Sequence, residues 1–297
     1  MSSRQTYRYR VVDVFTERAL EGNALAVFSD GAGLDTATMQ SIARELNLSE
    51  TVFVFPATQS KFAARLRIFT PFREMDFAGH PTVGAGFVLL DETLVPVSSD
   101  GFVVEENVGP VPIRVERGKR PLIWLTTPPI ADGPIFDRRA CAEALGLDGG
   151  DILAAEPQLL SAGNPTIFVP LKDKETVDRA ALDTSGIKRL KATLPYPSPF
   201  CVFVFTPTVA GAYSRMFAPE YGVVEDPATG SSTGPLAAYM IRNHLVSGEL
   251  GTRFISEQGT RMQRRSILHV HIRGANDIEV GGYVTPLVRA VMELERG

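Results

Sequence analysis

The stretch that decides the fold is RIFTPFREMDFAGHPTVG, residues 67–84, because it returns in altered form as RMFAPEYGVVEDPATGSSTG, residues 215–234. Both copies open with Arg-x-Phe-x-Pro, cross a variable stretch, reach Gly-x-x-Thr and run into an apolar helical pattern. Arg67 and Arg215 stand 148 positions apart, about half of the 297-residue chain. GNALAVF at 22–28 answers GNPTIFV at 163–169 at an interval of 141, and ETVFVF at 50–55 answers FCVFVF at 200–205 at an interval of 150. Three matches in one order at nearly one interval describe a duplicated fold.

Working outward, short β-branched and aromatic runs recur between Gly, Pro and Asp turn signals and read as strands, among them 10–15, 64–69, 122–125 and 267–272. Helical spacing shows at Met39, Ile42, Ala43 and Leu46 behind a capping Asp35. It shows again from Pro81 through Val83, Phe87 and Leu90, and after Gly234 at Leu236, Tyr239, Met240 and Leu245. Strands outnumber helices, so the fold class expected is α+β in two pseudo-symmetric lobes. The charged segment VERGKRP, 115–121, reads as the linker. That gives an N-terminal lobe over 1–118, completed by 283–297, and a C-terminal lobe over 119–282.

Composition excludes several classes. Apolar residues are 44% and charged residues 22% of the chain, as in ordinary globular proteins. The formal net charge of -4 and the lack of a basic run argue against nucleic acid as a partner. No stretch has the continuous apolar length of a bilayer span, and MSSRQTYRYR lacks a signal-peptide core. Cys141 and Cys201, the two cysteines, fit a reducing compartment, so a cytoplasmic protein is expected.

The chemistry concentrates around the repeat. Gly79-His80-Pro81-Thr82 and Gly230-Ser231-Ser232-Thr233 stand where a loop enters an apolar helix, a place where backbone N–H groups and the helix dipole attract an anion. Neither has the Gly-Lys-Ser/Thr of a nucleotide loop nor the Gly-x-Gly-x-x-Gly of a dinucleotide site, so a small carboxylate is the expected guest. Glu50 precedes the apolar run TVFVF, where desolvation raises a carboxyl toward general acid/base use, and the second half has Phe200 at the matching place. His80 lies inside the first motif and Asp226 just before the second. Asn23 and Asn164 follow the paired glycines, as substrate-orienting amides or plain turn residues. His269 and His271 alternate along one strand face, but no third ligand stands nearby, so no metal is expected.

DVFTERALEGNALAVF (13–28), LNLSETVFV (46–54), DFAGHPTVGAGFVLL (76–90) and EDPATGSSTGPLAAY (225–239) together resemble the PhzF family, related to diaminopimelate epimerase. The resemblance spans essentially the whole chain. It implies two lobes, each a curved sheet wrapped around a central helix, with the active site between them, no cofactor and a homodimer. It also implies that Glu50 moves a proton within the substrate, with His80 and Asp226 as its polar partners. Gly79, Gly230 and Ser231 would hold the substrate carboxylate. The epimerase branch uses a cysteine at each helix start; here those starts read Phe77-Ala78-Gly79-His80 and Ala228-Thr229-Gly230-Ser231.

The function expected is therefore a cofactor-independent isomerase that shifts a proton within a small unsaturated carboxylate, resembling trans-2,3-dihydro-3-hydroxyanthranilate isomerase. Epimerisation or tautomerisation of another amino acid-like metabolite is one alternative. A non-catalytic small-carboxylate binding protein is the other.

Overall fold

A computed structural model of the chain describes residues 4–95, 100–192, 194, 199–274 and 277–295. The outermost residues of the expected first lobe, 1–3 and 296–297, lie outside the described set. The chain divides into two compact units, Met1–Thr126 with Gly281–Gly297, and Thr127–Val280. The expected divisions were 118/119 and 282/283.

In the first unit the strands are β1 (Arg4–Val14), β2 (Asn23–Phe28), β3 (Glu50–Phe55), β4 (Ala64–Phe69), β5 (Glu74–Met75), β6 (Gly101–Glu106), β7 (Gly109–Glu116) and β8 (Leu122–Thr126), with helices α1 (Thr36–Leu46) and α2 (Gly79–Asp91). The second unit carries β9 (Ala131–Ile135), α3 (Arg138–Ala144), β10 (Gln158–Ser161), β11 (Thr166–Pro170), α4 (Lys174–Arg179), α5 (Thr184–Lys191), β12 (Cys201–Thr208) and β13 (Gly211–Ala218). It continues with β14 (Val223–Asp226), α6 (Gly230–Arg242), β15 (Arg253–Gln258), β16 (Ser266–Gly274) and most of β17 (Asp277–Gly282). The last strand, β18 (Val284–Glu295), pairs antiparallel with β1 and so belongs to the first unit.

Ladder directions repeat from one unit to the other. In the first, β1–β2 is antiparallel, β2–β3 parallel, β3–β4 antiparallel, β4–β6 parallel and β6–β7 antiparallel, with short β5 beside β4. In the second, β10–β11, β11–β12, β12–β13, β13–β15 and β15–β16 follow the same alternation, with short β14 beside β13. The duplicated sequence thus encodes a duplicated sheet.

Each sheet has a helix buried against it. From Gly79 to Leu90 every residue of α2 is buried, and from Gly230 to Met240 every residue of α6 is. Helices apolar on all sides are core elements rather than surface ones. β1, β2, β3, β8 and β18 all touch α2, so the sheet bends around it. Gly84 permits the close fit, since a Cβ there would stand 2.5 Å from Leu25 and 2.8 Å from Val14. On the opposite face of the first sheet lies amphipathic α1. Its Met39, Ile42 and Ala43 pack on Phe28, Phe53 and Phe69, and Asp35 caps its start by accepting the Thr38 N–H.

Two expectations need correction. The segment VERGKRP is a hairpin, not a linker: Glu116 pairs with Leu122 and Ile113 with Leu125, so its charges crown a turn inside the first unit. The buried helices also start earlier than expected, at Gly79 rather than Pro81 and at Gly230 rather than after Gly234. Pro81 falls in the first turn of α2, where its missing N–H would have no intrahelical partner, whereas Pro235 lies inside α6.

The variable stretch within the repeat holds a further shared residue. Arg67 grips Glu74 through Nε and Nη2 at 2.7 and 2.6 Å, and Arg215 grips Glu225 at 2.9 and 2.8 Å. Glu74 and Glu225 both stand five residues before the helix-starting glycine. Arg215 also donates to the carbonyls of Val177, Asp178 and Ala180 around the end of α4. Arg215→Met, which strands Glu225 in a half-dry site, is expected to lose roughly 3–5 kcal/mol of stability in urea unfolding. A loss under about 1 kcal/mol would show the pair to be no more than a surface contact.

Candidate active-site residues in the two units

In the first unit three sequence-selected residues meet at the start of α2. Parallel pairing of β2 with β3 sets Leu25 opposite Glu50, so Asn23 and Glu50 both open strands at the same end. His80, in the first turn of α2, lies beside both. Asn23 Nδ2 is 3.3 Å from His80 Nδ1, and His80 Nε2 is 3.3 Å from Glu50 Oε2. Asn23 and His80 are buried, and the Glu50 side chain is 16% exposed.

Burial pushes the His80 pKa down from 6.5 to about 3, so the ring is neutral across the physiological range. An amide nitrogen can only donate, so Nδ1 accepts from Asn23 and the single ring proton resides on Nε2, facing Glu50. The arrangement presents one carboxylate and one fixed N–H donor at a helix start.

The second unit repeats the frame with different side chains. Asn164 Nδ2 donates to Ser231 Oγ at 3.2 Å, so an asparagine again meets the second residue of the buried helix. Ser232 and Thr166 hydroxyls lie 3.0 Å apart. Asp226, at the end of β14 and 9% exposed, accepts from the Thr229 hydroxyl at 2.5 Å. In both helices the N-cap residue, Ala78 or Thr229, makes no side-chain cap hydrogen bond to the first turn. Gly79, Gly230 and Ser231 all fall within those turns.

Strand register corrects one correspondence. Phe53 pairs with Arg67 and Val204 with Arg215, while Leu25 pairs with Glu50 and Thr166 with Cys201. The residue matching Glu50 is therefore Cys201, not Phe200. Both candidates lack a carboxylate, so the asymmetry persists. Cys201 packs with Phe203 and Phe205 beside Leu236 of α6, and Phe200 packs on the other face with Val202.

Two residues absent from the sequence expectations brace the helix starts. Glu106 ends β6 and meets Thr82 of α2; Gln258 ends β15 and meets Thr229 before α6. Their shared position, at the end of the strand parallel to the Arg-x-Phe strand, shows only once the ladders are known. His269 and His271 form no cluster: His271 Nδ1 faces Glu279 Oε2 at 3.2 Å. Among the described residues no group of three His, Cys, Asp or Glu side chains is placed to hold a metal. No described helix is long and apolar enough to cross a membrane.

A duplicated sheet, each copy bent around a buried helix that starts with polar side chains, is the epimerase-like class of fold. A solved hydroxyproline epimerase from Agrobacterium vitis shares it, with a TM-score of 0.71 over 100% of this chain and 95% of that one at 12% identity. Nearer in sequence is a solved predicted epimerase from Pseudomonas aeruginosa, 32% identical with a TM-score of 0.82, covering 96% of this chain and 99% of that one. An uncharacterised isomerase of Mesorhizobium japonicum is 38% identical over 90% of this chain and 91% of its own. The trans-2,3-dihydro-3-hydroxyanthranilate isomerase of P. aeruginosa is 35% identical over 93% and 95%. Residues 12–288 match the family described as phenazine biosynthesis-like protein, PhzC-PhzF. The chain belongs to that family and is an enzyme of its isomerase and epimerase kind.

The depressed His80 value has a measurable consequence. ¹⁵N-detected NMR of the folded protein should show a neutral ring protonated on Nε2 that does not titrate between pH 8 and 5. Because the folded value lies below the unfolded one, stability held at neutral pH should drain as pH falls from about 6.5 toward 3. A ring titrating near 6.5 would contradict this assignment.

Proposed function

We propose that the enzyme moves a proton within a small unsaturated carboxylate, with Glu50 as the general acid/base. The observation that carries this reading is the Glu50 carboxylate standing 3.3 Å from Nε2 of the neutral His80 ring at the first turn of α2. Glu50 removes a proton from a carbon made acidic by the neighbouring unsaturation, and the same carboxyl returns it to another carbon of the same molecule. His80 Nε2 lies 3.3 Å from Glu50 Oε2, close enough for its N–H to turn onto the carboxyl when substrate binds. Asp226 is the candidate polar side chain of the second unit. Gly79 in one first turn, and Gly230 and Ser231 in the other, are the candidates to bind a carboxylate, in keeping with two first turns that lack side-chain caps.

The relatives supply the candidate substrate, trans-2,3-dihydro-3-hydroxyanthranilate. A cysteine-based epimerisation is disfavoured by chemistry. His80 and Ser231 occupy the first turns, and burial followed by the charge of Asp137 pushes the Cys141 thiol up to about 12. The fuller form of the proposal is a cytoplasmic homodimer acting without a cofactor or metal on a small carboxylate. The two free, buried cysteines suit a reducing compartment, and Leu287, Val288 and Val291 along β18 offer apolar surface to a second copy.

Turnover of trans-2,3-dihydro-3-hydroxyanthranilate in deuterated water tests the central step. Glu50→Gln should lower kcat by roughly 10²–10⁴-fold with little change in KM, and should abolish the deuterium that reaches product when the proton held on Glu50 exchanges with solvent before its return. Equal labelling by wild type and variant would remove Glu50 from the role. Inversion at one carbon without migration of a double bond would move the enzyme to the epimerases.

A further inference from the structure

Glu106 is a buried carboxyl that the chemistry above does not use. It lies at the end of β6, 2% exposed, directly beneath the first turn of α2. Thr82 Oγ1 stands 2.7 Å from the Ala78 carbonyl and 2.5 Å from Glu106 Oε1. A hydroxyl has one proton, and a carbonyl oxygen can only accept. If Thr82 donates to Ala78, the proton between Thr82 and Glu106 must come from the carboxyl.

The second unit offers the parallel case. Thr233, the counterpart of Thr82, donates to the Thr229 carbonyl at 2.9 Å. There the strand-end residue is Gln258, neutral by nature. Its Oε1 accepts the Thr229 N–H at 3.2 Å, and its Nε2 donates to the Asp226 carbonyl at 2.7 Å and to Thr229 Oγ1 at 3.0 Å. A protonated glutamic acid is the nearest match to a glutamine in shape and hydrogen bonding.

From this geometry we infer that Glu106 is held as the neutral acid and, as a positioning residue, donates to Thr82 to fix the first turn of α2 that carries His80. Burial is the largest influence on its proton and pushes the pKa up to about 8. The Thr82 contact and the nearby Ala78 N–H oppose the shift without cancelling it. The charged groups on surrounding elements do not bear on it. Glu105 beside it is turned to Thr58, Arg65 on β4 pairs with the Glu105 position, Asp76 is exposed, and His80 is neutral. Above about pH 8 the proton leaves to solvent. Thr82 then faces two acceptors with a single proton, and the turn loses one of its ties.

The inference rests on the proposed role of His80 only for its effect on turnover; the protonation state is tested apart from it. Protein labelled with ¹³C at glutamate carboxyls, with Glu106 assigned through its backbone connectivities, should show that carboxyl titrating near pH 8. A value near 4.5 would overturn the inference. Since the folded value is raised, Glu106 stabilises fully below about pH 4.5 and loses that contribution as pH rises to about 8. The Tm of Glu106→Gln should therefore lack this component of decline between pH 5 and 8, and parallel wild-type and variant profiles would count against the proposal. In turnover, Glu106→Leu should lower kcat at least tenfold and Glu106→Gln should rescue it, with activity kept at pH 9 where the wild type falls. If wild type turns over no candidate carboxylate, the proposed function fails while the titration and Tm profiles still decide the state of Glu106.

Discussion

Two helices of this chain are buried on all sides, and the first N–H groups of a buried helix are cut off from water. In each unit the surrounding sheet has to bring polar atoms to that place. An asparagine at the start of one strand, or two residues ahead of it, reaches the second helical residue; at the end of another strand Glu106 reaches Thr82 inside its helix and Gln258 reaches Thr229 before its own. A threonine one turn into the helix bonds back to the N-cap carbonyl. The Arg–Glu clasp five residues upstream secures the strand that leads in. Polar groups thus gather at the helix starts because burial requires them there, and the candidate catalytic side chains are variations on that requirement.

The variations are what separate the units. His80 stands where the other copy has Ser231, Glu50 where it has Cys201, Met75 where it has Asp226, and Glu106 where it has Gln258. Titratable groups replace neutral ones at three of these positions in the first unit. The second unit keeps its single carboxylate, Asp226, tied to the Thr229 hydroxyl. On the proposed chemistry this division makes the first unit the proton handler. Duplication alone would give two equal sites; the substitutions at the helix starts break the equality.

Much of the duplication was legible because Arg-x-Phe-x-Pro and Gly-x-x-Thr bracket a structural necessity, the entry into a buried helix. The one-residue error at Glu50 has a clear origin. Thr-Val-Phe-Val-Phe and Cys-Val-Phe-Val-Phe overlay best by letter, but a strand of alternating valine and phenylalanine is buried on both faces and reads alike in either frame. Only the neighbouring strand, through Phe53–Arg67 and Val204–Arg215, settles which face is which. VERGKRP misled because charge marks a solvent-facing hairpin as readily as a linker. Helices α3, α4 and α5 are short, and their Asp137, Asp173 and Asp183 caps lack a long apolar period behind them. Glu106 escaped because nothing in Val-Val-Glu-Glu tells the carboxyl that meets α2 from its neighbour Glu105, which is turned to Thr58.

Burial also sets what each titratable group can do. An imidazole with its pKa driven to about 3 cannot store a proton at neutral pH, so His80 is suited to donate a fixed hydrogen bond and not to carry a proton between substrate carbons. On the proposed chemistry the carrier's task falls to Glu50, which stands beside His80 and is less deeply buried. Glu106 completes the logic from beneath. A helix N-terminus favours negative charge, yet at this depth the cost of desolvating a carboxylate outweighs that attraction. The neutral acid braces the turn without placing a buried anion beneath it.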